Sequence, residues 1–323
     1  MFEKLFANEL SVEEAKELLI ELYQKGESAQ EIAKAAKIMR RYSIKLPIPP
    51  ELQEELIDVV GTGGDKSGSF NVSSTVALLL PALGSYVAKH GNRSVTSKSG
   101  SADMLEALGI TLDLSPQAQV EMLQRCGFCF IFAKEHHPVM AHIMPIRKSI
   151  PHRTIFNLLG PLTNPAGAKK YLLGVFDKAF VPKMAEALQS LGVKRAMVVA
   201  SEDGMDEISL SAPTYAAWIE GEKIEYFTIK PEDVGLARCA FEDLAGGDAK
   251  ENAKITEEIL RGGLGGPKRD MVLLNAAAAL MADGKTKNLE EGIEMAAEAI
   301  DSGAAGEKLD QIIATSKELA SGR

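Results

Sequence analysis

From about residue 57 onward the chain alternates short apolar runs with helical segments, and this alternation restricts its fold more than any other feature. IDVV (57–60), SYVAKH (85–90), FCFIFA (128–133), YLLGVF (171–176) and AMVVAS (196–201) have the length of strands. Amphipathic stretches such as ADMLEALG (102–109) and FVPKMAEALQSLG (180–192) lie between several of them. Strand and helix in alternation predict an α/β fold with a mainly parallel central sheet flanked by helices. Near the end, TYAAWIEGEKIEYFTI (214–229) reads as two strands around Gly221, so an antiparallel hairpin is expected to join the sheet. Helices are predicted at 249–261, 270–283 and 289–300.

The first fifty residues have a different texture. Ser11 and Glu14, then Ser28 and Glu31, form two capping boxes, each followed by apolar residues at helical spacing. Two short antiparallel helices with Gly26 between them are expected. LPIPPEL (46–52) ends the helical run, because proline lacks the amide and clashes with the preceding turn. HPVMAHIMPIRKSIPHRTIFNLLGPLTNP (137–165) interrupts the later alternation and resembles helices broken by turns. The predicted division is a small all-helical domain from 1–56 with about 138–165, and a large α/β domain from 57–137 with about 166–323.

The composition is that of a protein with a sizeable core: 323 residues, 46% apolar and 25% charged. The net charge of -9 disfavours nucleic acid as a partner and requires any anion site to be locally basic. The amino terminus has no secretory pattern, and apolar stretches such as TVALLLPALG are about half a membrane span, so no membrane is expected. Three cysteines suggest a reducing cytoplasm, and Cys126 and Cys129, though spaced C-x-x-C, read as ordinary buried thiols. The histidines at 136, 137, 142 and 152 do not form a metal motif.

Three loops carry the chemistry. DVVGTGGDKSGSFNVSS (58–74) matches neither the P-loop, since Asp65 precedes Lys66, nor the dinucleotide fingerprint, since Lys66 stands where the third glycine belongs. Gly61, Gly63 and Gly64 can still present backbone amides to an anion, with Ser69, Asn71, Ser73 and Ser74 at the start of the next helix. A plain strand–turn–helix connection capped by Asn71 or Ser73 competes with that reading. AKHGNRSVTSKSGSADMLEALG (88–109) gathers Lys89, His90, Arg93 and Lys98 among hydroxyls before a helix capped by Ser101, as a polyanion with several phosphate oxygens needs. SEDGMDEISL (201–210) places Asp206 and Glu207 after a strand, a pair suited to Mg²⁺.

GTGGD (61–65), NVSS (71–74), KHGNRS (89–94), GSADMLEALG (100–109), RTIFNLLGPLTNP (153–165) and DGMDEISL (203–210) together resemble the signature set of the anthranilate phosphoribosyltransferases of tryptophan biosynthesis. Ser69, Thr96 and Met205 depart mildly from the usual pattern. The resemblance implies transfer of the phosphoribosyl group of 5-phosphoribosyl 1-pyrophosphate to the amine of anthranilate, in a cleft between the two domains of a homodimer paired through its helical part. It assigns Gly61, Gly64, Asp65, Ser69, Asn71, Val72, Ser73, Ser74, Lys89, His90, Gly91, Asn92, Arg93, Ser94, Val95, Thr96, Ser97 and Ser101 to the diphosphate donor. Gly61, Asn92 and Arg153 are assigned to anthranilate, and Ser73, Asp206 and Glu207 to Mg²⁺, with two ions per subunit. No residue is assigned as a general acid or base. Two alternatives stay open on the residues themselves: a pyrimidine nucleoside phosphorylase, and a non-catalytic relative that binds phosphate or nucleic acid.

Overall fold

The structure, a computed structural model, describes residues 1–65, 67–94 and 98–322. Seven strands form one sheet: β1 (Leu56–Gly61), β2 (Tyr86–Gly91), β3 (Phe128–Phe132), β4 (Lys170–Gly174), β5 (Arg195–Ser201), β6 (Thr214–Glu220) and β7 (Lys223–Ile229). Their order across the sheet is β3-β2-β1-β4-β5-β6-β7. The first five strands in that order run parallel, and β6 and β7 add antiparallel as the expected hairpin.

Side chains along each parallel strand alternate between two cores, as the period of two requires. Ile57, Val59, Val87 and Leu172 join a core with the helices Val72–Leu79 and Pro267–Asp283. Leu56, Val60, Ala88 and Leu173 join the other, which contains Leu19 and Ile32 from the amino-terminal helices and Ile143 and Phe156 from the interrupting segment. Fully burying each of the valine, leucine, isoleucine and phenylalanine side chains contributes about 1.5–3 kcal/mol relative to exposure. Both capping boxes form, at the starts of helices Val12–Lys25 and Ala29–Arg41. The 137–165 segment contains helix Met140–Lys148 and shares a core with these helices, and the Phe156 ring meets that of Phe6, in helix Phe2–Phe6, edge-on at 5.9 Å.

Three details differ from expectation or were absent from it. Gly100, not Ser101, occupies the cap position of helix Ser101–Ala107, because the Asp103 carboxylate reaches back to accept the Gly100 amide at 3.0 Å. Helix Pro116–Cys126, capped by Ser115 with proline in its first turn, was not foreseen, nor was the final helix Ala304–Ser321. Cys126 and Cys129 are buried free thiols, and burial raises both pKa values. Among the described residues no helix is long and apolar enough to cross a membrane.

Candidate active site

The strand order places a topological switch between β1 and β4. The chain builds outward from β1 through β2 to β3, then returns to the other side of β1. Connections leave the sheet in opposite directions there, and in open α/β sheets ligands bind outside the carboxyl ends of the strands at such a point. Gly61 and Gly174 are paired neighbours at those two ends. A Cβ on Gly61 would lie 2.3 Å from the Asp206 Oδ2, and one on Gly174 would lie 1.6 Å from the Asp206 carbonyl oxygen. The absence of two side chains is what lets the acidic turn after β5 lie across the switch point.

Backbone amides fix that turn to the glycine loop. Gly63 N–H donates to Asp206 Oδ2 at 2.7 Å, and Ser73 N–H, in the first turn of Val72–Leu79, donates to Glu207 Oε1 at 3.1 Å. Gly63 and Gly64 have φ of 64° and 76°, and nothing lies within 4 Å of a Cβ built on either, so this stretch of the loop borders open space. Burial, reinforced by the Asp65 charge, pushes the Asp206 carboxyl up to about 7. Burial and then the Asp206 charge drive Glu207 well above the usual carboxylate range, Lys89 offsetting only part of this.

Lys89, the fourth residue of β2, is 2% exposed. Its ammonium donates to the Val59 carbonyl at 2.6 Å and to the Ser73 hydroxyl at 3.4 Å. Burial lowers its pKa, while the charges of Asp58, Glu207 and Asp206 act in the opposite direction. Asp58, wholly buried on β1, accepts the His90 amide at 3.2 Å and an Asn164 amide N–H at 2.8 Å; burial raises its carboxyl to about 7. His90 Nε2 lies 3.2 Å from His137 Nε2, and its Nδ1 lies 3.1 Å from the Gly160 carbonyl oxygen. Burial, then the neighbouring His137, holds the His90 pKa well below 6.5, so His90 is neutral at pH 7.

The lysine-serine loop meets the glycine loop through Asn71. Its Oδ1 accepts the Ser99 hydroxyl at 3.0 Å and an Asn252 amide N–H at 2.9 Å. Asn71 therefore cross-links two loops and a helix, and it makes no side-chain cap. Ser101 donates to the Asn92 carbonyl at 3.2 Å. The Arg93 guanidinium is held by Asp103 at 3.0 Å and Glu106 at 2.6 Å, and stands 5.5 Å above the Phe132 ring. Ser74 Oγ is buried without a partner. Asp65 and Ser69 line the same loop half-buried, and Gly91 ends β2, where a Cβ would lie 2.4 Å from Ser101 Oγ. Val95, Thr96 and Ser97 fall outside the described residues, as does Lys66.

Arg153 is reached from another direction. Its Nη1 donates to both oxygens of Glu27 at 3.1 Å, and its guanidinium carbon lies 4.4 Å from the Phe180 ring centre, 5.1 Å from Tyr23 and 5.9 Å from Phe176. Phe176 in turn donates its amide to Thr62 Oγ1 at 3.1 Å, which ties the arginine's aromatic surround to the glycine loop. Among the described residues Arg153 makes no hydrogen bond to Gly61 or Asn92.

The three phosphate-type turns thus share one edge of one sheet. A family profile described as glycosyl transferase family, a/b domain, matches residues 53–306. The anthranilate phosphoribosyltransferase of Rubrobacter xylanophilus is 46% identical over 303 residues, covering 94% of this chain and 87% of its own length. The crystal structure of the Thermus thermophilus anthranilate phosphoribosyltransferase superposes with a TM-score of 0.91 at 43% identity, over 98% of this chain and 93% of that one. The Saccharomyces cerevisiae enzyme in complex with PRPP and Mg matches with a TM-score of 0.86 at 31% identity, over 95% and 86%. The chain belongs to the anthranilate phosphoribosyltransferase family.

In this family member a second layer of residues supports the turns, and the sequence reading did not find it. Asn275 Oδ1 accepts the Ile208 amide at 3.0 Å while its Nδ2 donates to the Ile208 carbonyl at 2.8 Å, clamping the acidic turn to Pro267–Asp283. Asp203 accepts the Ser209 hydroxyl at 2.6 Å and the Ser211 hydroxyl, which closes the same turn on itself. A lone amide in the otherwise apolar run MVLLNAAAAL was the available signal for Asn275. Gly174 within YLLGVF was another, since glycine inside a strand often marks close approach of a second backbone.

Proposed function

We infer that these residues carry out phosphoribosyl transfer from 5-phosphoribosyl 1-pyrophosphate to the amine of anthranilate, and that the diphosphate donor sits in the crevice at the switch point. The observation that carries this reading is the pair of amide–carboxylate bonds, 2.7 Å from Gly63 to Asp206 and 3.1 Å from Ser73 to Glu207, that lock two separate turns onto one strand edge. The bond from C1 to the pyrophosphate oxygen breaks, a bond from C1 to the anthranilate nitrogen forms, and the amine loses a proton. Anthranilate's aromatic amine is neutral at pH 7, so the site needs no strong base to create the nucleophile. Holding it in line with the leaving group can supply several kcal/mol of orientation.

The residues fit a hard divalent cation on chemical grounds. Asp206 and Glu207 are half-buried oxygen donors whose pKa values are raised by desolvation and then by neighbouring carboxylates, a strain that a bound cation relieves, and the Ser73 hydroxyl is within reach of Lys89. Carboxylate and hydroxyl oxygens are the ligands Mg²⁺ prefers, and it commonly completes its shell with substrate phosphates. Mg²⁺ held by Ser73, Asp206 and Glu207, at two ions per subunit, would supply positive charge to the departing pyrophosphate. Gly61, Gly64, Asp65, Ser69 and the 71–74 turn, with 89–97 and Ser101, grip the donor; Lys89 serves mainly by its field. Arg153, with Gly61 and Asn92, takes the anthranilate carboxylate.

The remaining assignments are part of the same reading. The small helical part, 1–56 with about 138–165, and the large α/β part flank the crevice. Val12, Tyr42 and Ile44, at 57%, 40% and 47% exposure, offer an apolar surface on the helical part for pairing with a second copy in the cytoplasm. The test is direct: protein, anthranilate, 5-phosphoribosyl 1-pyrophosphate and Mg²⁺ together consume anthranilate fluorescence. No loss beyond a protein-free control ends the reading.

A further inference from the structure

We propose that Glu27 is a positioning residue that aims one edge of the Arg153 guanidinium at the acceptor carboxylate. The inference rests on the reading of Arg153 as the acceptor's anchor and deepens it. Glu27 lies in the short link between helices Val12–Lys25 and Ala29–Arg41, and it is 0% exposed. A fully buried carboxylate needs a partner, and Arg153 is the one the structure gives it. Both Glu27 oxygens converge on a single nitrogen, Nη1, at 3.1 Å each.

The choice of nitrogen matters. Guanidinium binds carboxylate in parallel pairs of N–H groups, and Nε with Nη2 forms one such fork along the side of the group. Nη1 is the nitrogen outside that fork. Glu27 therefore occupies the end-on fork of Nη1 with Nη2 through Nη1 alone, and leaves the side fork, Nε with Nη2, without hydrogen-bond partners among the described residues. The ring faces of Phe180 at 4.4 Å and Tyr23 at 5.1 Å restrict rotation of the plane, and Tyr23 is itself stacked on His152 at 3.8 Å. The Arg153 side chain keeps 23% exposure. An anchored, partly open guanidinium with a free fork, linked to the glycine loop through Phe176 and Thr62, is built for a planar carboxylate.

Glu27→Gln keeps the shape but halves the acceptors and removes the charge. Expected is a rise of about tenfold or more in KM for anthranilate, with KM for 5-phosphoribosyl 1-pyrophosphate within twofold of the wild type. Glu27→Asp, which keeps the charge on a shorter stem, should recover part of the loss. Equal changes in both KM values, or none, overturn the proposal. A crystal structure of the wild-type protein soaked with anthranilate needs no variant: the acceptor carboxylate should lie on Nε and Nη2 with Glu27 still on Nη1. A carboxylate seated on Nη1 with Glu27 displaced refutes it. Wild-type protein with no anthranilate turnover would instead defeat the functional reading beneath it.

Discussion

Two buried lysines sit at opposite ends of the same sheet, and their surroundings differ in kind. Lys170 opens β4 at the amino edge, 7% exposed, and donates to Asp283 and Glu55 at 2.9 Å each. Asp283 is completed by the Ser85 hydroxyl at 2.6 Å. Burial pulls the Lys170 ammonium down, but the two carboxylates together outweigh it and its pKa rises. Lys89, near the carboxyl end of β2, is 2% exposed and bonds only a carbonyl and a hydroxyl; among the described residues no carboxylate lies within ion-pair distance. Its pKa falls. One edge spends its buried charges on each other, whereas the other leaves an ammonium and several carboxylates close but unpaired. Charges left in that state destabilise the empty protein and favour whatever ligand resolves them, which is the expected trade at a functional site.

That contrast can be broken at the amino edge first. Lys170→Met leaves Asp283 buried without its cation, a change that costs about 3–5 kcal/mol in comparable cases. Chemical denaturation should show a loss of this size, while kcat of the protein that remains folded stays near wild type. The reverse pattern, a stable protein with lost activity, would erase the distinction between the edges.

At the carboxyl edge the opposite is expected. Glu207→Gln keeps an acceptor for the Ser73 amide but removes one of the crowded charges. Activity should fall by about 10²–10³-fold, the size of a lost transition-state electrostatic contact, and the Mg²⁺ dependence should weaken. The melting temperature should hold or rise. A fall in melting temperature to match the lost activity would mean that Glu207 is structural.

The pH dependence separates the edges a third way. His137 is held at about 4 chiefly by burial, below its usual 6.5. The unfolded chain therefore binds the proton first on acidification. Stability from this group is full above about pH 6.5 and is lost as pH falls toward about 4, by up to roughly 3 kcal/mol. Asp58, raised to about 7, runs the other way: its contribution is full below the ordinary carboxylate value and declines as pH rises to about 7. His137→Leu should flatten the acid side of a melting-temperature profile. Lys170, raised by its partners, contributes no slope in that range.

Much of this arrangement could be read from the sequence where chemistry and spacing coincide. The five parallel strands, the hairpin at Gly221 and both capping boxes follow from local patterns that the tertiary structure reinforces. The three loops were legible only together, because glycine, serine and aspartate are common in ordinary turns and each loop alone reads as one. What was hidden is pairing across distance. Glu27 and Arg153 stand 126 positions apart, and Asn275 and Ile208 stand 67 apart. No periodicity marks such partners, because each is chosen by the fold and not by its neighbours in the chain. Arg93 shows the converse failure: a cation in a phosphate-like loop looks free in sequence, yet the helix Ser101–Ala107 supplies two carboxylates to it.

Arg153 gives a further test of the active edge. Arg153→Ala should raise KM for anthranilate by about 10–100-fold, the range of a lost charged hydrogen bond of roughly 1.5–3 kcal/mol, with little effect on the Mg²⁺ requirement. Initial rates at varied acceptor and metal would show the split, and equal effects on both would remove the division between acceptor and metal residues.

The smallest effect belongs to Arg93, which sits between the two kinds of region. Its guanidinium is paired as Lys170's ammonium is, but in the loop proposed to grip the donor. Nη1 and Nη2 each donate to Glu106 at 2.6 Å, and Asp103 takes the remaining contact while also accepting the Ser94 and Gly100 amides at 3.0 Å. Asp103 thus joins both stems of the loop, and Arg93 ties that clasp to Glu106. Because the pair is about half exposed, Glu106→Gln should change stability by less than about 1 kcal/mol. If the clasp holds the loop in its donor-ready shape, KM for 5-phosphoribosyl 1-pyrophosphate rises a few-fold while KM for anthranilate stays constant. If KM for the donor falls instead, Glu106 was competing with phosphate for the arginine, and Arg93 belongs with Lys89 among the charges kept unpaired for the ligand.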